Sequence, residues 1–248
     1  MRKNTIAIIL IVLCALPVHA DILGDAMKGM KLPAGLTGGT GTTNSIDNQT
    51  VASGLKEALT IGTANAVSTV SGVDGYFANQ AIKILLPDKI RQAAEMLRKI
   101  GYEKQVDDFV LSMNRAAEKA APRAKAHFVE AIREMTFEDA RKILGDGDTA
   151  VTDYFRGKTQ KKLYDEFRPT VSASMDEVGV TRSYKNMVGK YAALPLVGGK
   201  AESVDLDHHV TTKALDGLFL VLGQEEKKIR TDPAARVTDL LKDVFGRK

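Results

Sequence analysis

The stretch Asn114-Arg115-Ala116-Ala117-Glu118 has the spacing best suited to chemistry in this chain. At roughly 100° per helical residue, Asn114 and Glu118 share a face, about a quarter-turn from a stripe centred on Met113 and Ala117, with Arg115 on the far side. A carboxylate beside a carboxamide at the edge of an apolar seam could act as a general base or hold a cation at a pocket rim. The plainer reading, an interhelical hydrogen bond with a boundary salt bridge, is the expected one. Asp216 is the second candidate, because it falls in a run that is apolar nearly all round, Leu215 to Leu222. A carboxylate buried there needs a cation. With one it is structural, and Gly217 lets a neighbouring helix approach; without one it is a pocket acid of raised pKa. Glu225, Glu226 and Arg230 allow i,i+4 pairing, worth only a few tenths of a kcal/mol on an exposed face. A polar pocket, if the fold makes one, would draw on Asn114, Arg115, Glu118, Asp139, Arg156, Asp216 and Arg230. In a hydrolase-like arrangement Glu118 or Asp216 would be the acid/base, with Arg115, Arg156 or Arg230 in the same cleft.

Metal chemistry is less well served. Asp205-Val-Asp207-His208-His209 gathers oxygen and nitrogen donors, and Asp205 and His208 are three apart. Carboxylate-bridged di-metal bundles use paired Glu-x-x-His elements, however, and this chain has none. His127 with Glu130 has the reverse order, and Gly145-Asp146-Gly147-Asp148 lacks the other donors of a calcium loop. Helix caps and surface polarity account for these positions, so neither metal nor cofactor is expected. The chain also lacks the G-x-S-x-G elbow, the P-loop, the dinucleotide fingerprint and H-E-x-x-H.

The elements that must position these residues begin after an N-terminal address. MRKNTIAIILIVLCALPVHA has a basic start, an apolar run from Ile6 to Leu16 and a small-residue ending, the layout of a secretory signal peptide. The apolar run is shorter than the roughly 20 residues a membrane span needs. Residues 1–20 are therefore expected to be cleaved after Ala20, which makes the protein periplasmic or secreted. The sole cysteine, Cys14, would leave with the signal; Leu13 before it is not the small residue that a lipid-anchored cysteine requires. What remains would have no thiol and no disulfide. With Arg2 and Lys3 gone, acids and bases nearly balance despite a pI of about 9.0. The basic clusters at 158–162 and 227–230 lack interleaved aromatics, so nucleic acid is not expected as a partner. A hydrophobic fraction of 44% with 27% charged residues suits a globular core.

Residues 21–47, rich in Gly and Thr, read as a flexible leader, and 48–248 as one helical domain. Val51, Leu55, Leu59, Ala66, Val67 and Val70 hold helical spacing, with Asp47 available as cap. Ala81 to Leu86, before Pro87, is either a short extended segment or a buried turn. Further helices are expected from Asp88 to Ile100, closed by Gly101, and from Glu103, with a break at Pro122. Thr136 and Asp139 resemble a capping box for a short helix ending at Gly145. Asp148 could cap the next helix, which runs toward Phe167 and Pro169. The remaining helices are placed over Ser183 to Ala193, from Asp205 through Leu222 as a central buried helix, and from Asp232 through Phe245. No period-2 pattern appears. The fold class is all-α, a single multi-helix domain of about eight or nine helices.

The segments GLKEALTIGTANAV (54–67), VDGYFANQAIKILLP (73–87), MNRAAEKAAPRA (113–124), FEDARKILGDGDTAVTDYFR (137–156), KALDGLF (213–219) and EEKKIRTDPAARVTDLLKDVF (225–245), in that order, resemble the bacterial family known as domain of unknown function 4197. The resemblance implies an exported, mainly helical protein and carries no established activity, so it transfers no catalytic residue. The function expected from these readings is a non-enzymatic binding module of the cell envelope, with an unknown envelope protein or small ligand as partner. The alternatives are a small-molecule or lipid carrier with a cavity between the helices around Met113 and Leu218, and the hydrolase-like enzyme.

Overall fold

In the computed structural model residues 48–193 and 204–232 are described, and they form eight α-helices with no strand among them. The apolar stripes decide where the helices fall. In α1 (Asn48–Ser71) Leu55, Leu59, Ala66, Val67 and Val70 are buried. In α2 (Asp88–Lys99) they are Ile90, Ala94 and Leu97. Gly101 then adopts φ +88° and the Tyr102 N–H returns to the Leu97 carbonyl at 2.9 Å, a left-handed ending that glycine makes without a Cβ penalty. The stripe Val106, Phe109, Val110, Met113 and Ala117 is the buried face of α3 (Glu103–Ala120). Pro122 then forces a 3₁₀ turn, Ala121–Arg123, before α4 (Ala124–Glu134). Thr136 and Asp139 form the expected reciprocal capping box at the start of α5 (Phe137–Gly145).

The second half departs from expectation in three places. The next helix, α6 (Ala150–Glu177), continues through Pro169 instead of stopping there. Phe167, Val171, Ser174 and Met175 are buried on both sides of the proline, so packing outweighs the lost backbone hydrogen bond. Asp148 does not cap α6: Thr149 holds the cap position without a side-chain bond. Finally α7 (Val180–Ala192) begins before Ser183, because Gly179 at φ +78° turns the chain immediately. The last described helix is α8 (Leu206–Thr231), whose N-cap Asp205 accepts from the His208 N–H at 2.9 Å. The expected signal peptide and leader, Asp47 and the helix expected beyond Asp232 lie outside the described residues.

Helices α3, α6 and α8 pack on one another, with α1 and α4 against one flank and α2 and α7 along another. Phe128 meets Phe155 edge-on at 5.2 Å and Phe219 at 6.2 Å, joining α4, α6 and α8 in one apolar core. Between α1 and α2 runs the one long non-helical connection among the described residues, 72–87. It answers the question left open at Ala81–Leu86. Turn hydrogen bonds to Asn79 carry the chain through Ile82, and Lys83–Pro87 then runs free of turn or bend.

Candidate functional site

Asn114 and Glu118 lie side by side on α3, as their spacing requires, yet their partners are in the 72–87 connection and not in another helix. The Asn114 carboxamide accepts from the Ile84 N–H at 2.8 Å and donates to the Ile84 carbonyl at 2.9 Å, copying the exchange a neighbouring strand would make. Its second N–H goes to the Val110 carbonyl. Glu118 is buried, and its Oε1 accepts the backbone N–H groups of Tyr76 (3.1 Å) and Phe77 (3.2 Å). Its Oε2 accepts from Arg115 at 2.6 Å, and Arg115 also reaches Asp74 at 2.6 Å. Arg115 is thus not on a separate face: its length brings the guanidinium back along the i,i+3 row. The Glu118 carboxylate is the first cause that holds this guanidinium above its ordinary pKa.

The same connection is fixed from α8. Tyr76 is fully buried and donates its hydroxyl proton to the Ala214 carbonyl at 2.6 Å. Burial, with the Glu118 charge behind it, pushes that phenol far above the usual range. A Cβ at Gly217 would stand 2.7 Å from the Tyr76 ring and 3.0 Å from Ile82 Cβ. Gly217 therefore permits a close approach, as expected, but by a loop and not by a helix. A Cβ at Gly75 would lie 2.4 Å from the Thr69 carbonyl oxygen, so that turn has no room for a side chain. His209 donates from Nε2 to the Leu85 carbonyl at 2.9 Å. Desolvation, with the Lys213 charge behind it, lowers the His209 pKa against the raising effect of its Leu85 hydrogen bond.

Two grooves flank the clamped segment and share Lys83, Leu85, Leu86 and Arg91. One, of about 290 Å³, lies toward α2 and α3 and includes Phe77 and Arg98. The other, of about 480 Å³, lies toward α8 and includes His209, Lys213, Asp216 and Leu220. Leu85 is 64% exposed and Leu220 42%, two of the five large apolar side chains exposed among the described residues. The acids of this larger groove are already paired, Asp88 with Arg91 and Asp216 with Arg156 at 3.6 Å. Lys213 meets no carboxylate among the described residues, and Lys83 sits 4.0 Å over the Phe77 ring.

The other expected site residues do not join them. Asp216 is half exposed on the open side of α8, which corrects the reading of a carboxylate buried all round. Its partner Arg156 stacks 4.6 Å from the Phe219 ring. Asp139 belongs to the α5 cap, where the Thr136 backbone N–H and hydroxyl lower its pKa. Arg230 lies at the other end of α8 with Glu226, beside a cavity of about 20 Å³ lined by Leu55 and Ile229. Glu226 is buried and Arg230 partly so, contrary to the exposed i,i+4 pairing expected, and Glu226 also accepts the N–H groups of Val151 and Thr152 at the start of α6. Asp205, His208 and His209 turn to Arg168, Tyr164 and Leu85. No cluster of three His, Cys, Asp or Glu able to hold a metal occurs among the described residues. No described helix is long and apolar enough to cross a membrane.

The family described as "Protein of unknown function (DUF4197)" matches residues 45–246 of the 248. The chain belongs to the DUF4197 family. No curated protein and no solved structure matches it. What the DUF4197 fold builds around 72–87 therefore has to be read from its geometry alone. Sequence reasoning missed the larger groove; its signals were the alternation of Ile82, Lys83, Ile84 and Leu85 ahead of Pro87, and an α8 too apolar to be covered on every side.

Proposed function

We propose that this protein is an exported, non-enzymatic binding module of the cell envelope, and that the groove between Lys83–Pro87 and α8 takes its ligand or partner. The observation that carries the reading is the clamped segment. Asn114, Glu118, Tyr76 and His209 all spend buried or half-buried polar groups to hold one loop, and that loop displays Leu85 to solvent beside Leu220 and Lys213. A rigid concave surface with an apolar floor and uncompensated charge is what recognition needs. The export half of the proposal is supported by the basic, apolar and small-residue succession of residues 1–20.

The chemistry of the groove favours binding over turnover. Its lining has no serine, threonine or cysteine to act as nucleophile. Glu118, the strongest candidate base, has both oxygens engaged and is buried behind the loop. The carrier alternative loses the location expected for its cavity, since Met113 and Leu218 are fully buried and line neither groove. The test is native mass spectrometry on protein recovered from the envelope fraction, comparing wild type with Leu85→Asp. A retained mass lost in the variant, with unchanged helicity and unfolding midpoint, is expected. Equal retention by both proteins would move the binding surface elsewhere.

A further inference from the structure

We propose that the occupant of this groove is an extended polypeptide segment carrying both apolar and acidic side chains, which adds as a strand along Lys83–Leu86; the proposal rests on the binding reading above. The segment has the side-chain alternation of a strand: Ile82 and Ile84 are buried, at 6% and 1%, while Leu85 between Ile84 and Leu86 is exposed. Its backbone groups alternate likewise. Both polar groups of Ile84 go to Asn114 on α3, and the Leu85 carbonyl goes the opposite way, to His209 on α8. One edge is thus paired by a carboxamide acting as a neighbouring strand. On the other, no group among the described residues meets the Leu85 N–H or the Lys83 carbonyl.

An unpaired donor and acceptor two residues apart, on a segment free of turn or bend and held from α3 and α8, form the template for strand addition, in which main-chain hydrogen bonds supply affinity and side chains supply specificity. Leu85 and Leu220 offer contacts to the apolar side chains of such a peptide. Lys83, on the same face of the segment as Leu85, and Lys213 have no carboxylate partner among the described residues and select the acids of that peptide. His209 keeps the Leu85 carbonyl occupied, so the incoming segment registers on the Leu85 N–H.

The test uses protein recovered from cells expressing the full chain, ¹⁵N-labelled, and four probes. These are an acetylated, amidated peptide of alternating Val and Glu, its analogue N-methylated at every Val amide, the alternating Val–Lys peptide, and dodecanoate. The Val–Glu peptide is expected to bind and to slow hydrogen exchange at the Leu85 amide by about tenfold or more. N-methylation is expected to abolish binding, and Lys213→Glu to weaken it roughly tenfold. Equal binding by the N-methylated peptide overturns strand addition and leaves the groove as the site. Binding of dodecanoate alone makes the occupant an acyl anion, which also overturns the peptide and keeps the groove. If no probe moves the resonances of Leu85, Lys213 or Leu220, the binding reading itself fails.

Discussion

At the scale of single residues, Glu118 concentrates the most consequence in the fewest atoms. Its carboxylate takes two backbone N–H groups and one guanidinium, and none of the three is replaced if it is removed. Leaving buried donors unmet costs about 1–3 kcal/mol each, and Arg115, only partly exposed, loses half its pairing. Glu118→Ala is therefore expected to lower unfolding free energy by about 3 kcal/mol in urea titration, whereas Glu118→Gln, which keeps a carbonyl oxygen for the Tyr76 and Phe77 N–H groups, loses about 1 kcal/mol. Equal stability in all three proteins would return Glu118 to the list of candidate bases, since a catalytic carboxylate need not stabilise the fold. The juxtaposition of Asn114 with Glu118 was legible in the sequence because helical spacing alone produces it. Their partners were not, because a loop 30 to 42 residues upstream supplies them and no local pattern encodes that approach. Asp216 failed for the related reason that an apolar helix run says how much of the helix is covered, not which residue faces the opening.

Among elements, the readable features were those whose signals are local. The stripe of α1, the Gly101 ending, the break at Pro122 and the Thr136–Asp139 box all rest on signals within a turn or two of the chain, and each appears where the sequence puts it. The start and length of α6 were not readable, because both depend on distant packing. Its proline is tolerated by the core, and its first turn is satisfied from α8: Glu226 accepts from Val151 N–H at 3.0 Å, from Thr152 N–H at 3.1 Å and from the Thr152 hydroxyl at 3.1 Å. A carboxylate at a helix N-terminus meets both the orphan donors and the positive end of the dipole. Arg230 completes the joint by pairing with Glu226 at 3.0 Å and donating to the Ile143 carbonyl of α5 at 2.9 Å. Glu226→Ala is thus expected to cost about 3–5 kcal/mol, as for other broken buried pairs. Hydrogen exchange gives the signature specific to this joint: the amides of Val151 and Thr152 accelerate beyond the global loss, while those of α3 follow the global loss alone. Uniform acceleration across the molecule would mean that Glu226 merely contributes to the core.

For the molecule as a whole, the decisive quantity is the absence of any covalent staple from the helical domain. Cys14 is the only cysteine and lies within the expected signal, so all described stability comes from packing and hydrogen bonding. The core is continuous from Leu55 on α1 to Leu222 on α8 and includes six fully buried aromatic side chains. Burial on that scale, about 1.5–3 kcal/mol for each large apolar side chain, lets a domain of this length stand without disulfides. It also makes export and thiol chemistry test one another. If residues 1–20 are removed after Ala20, protein from the envelope fraction begins at Asp21, and its intact mass is unchanged by iodoacetamide under denaturing conditions. Its unfolding midpoint is then the same with and without reductant. A single carbamidomethyl adduct would show that Cys14 is retained, placing the apolar run from Ile6 to Leu16 on the working protein and replacing a released module with one held at the membrane surface.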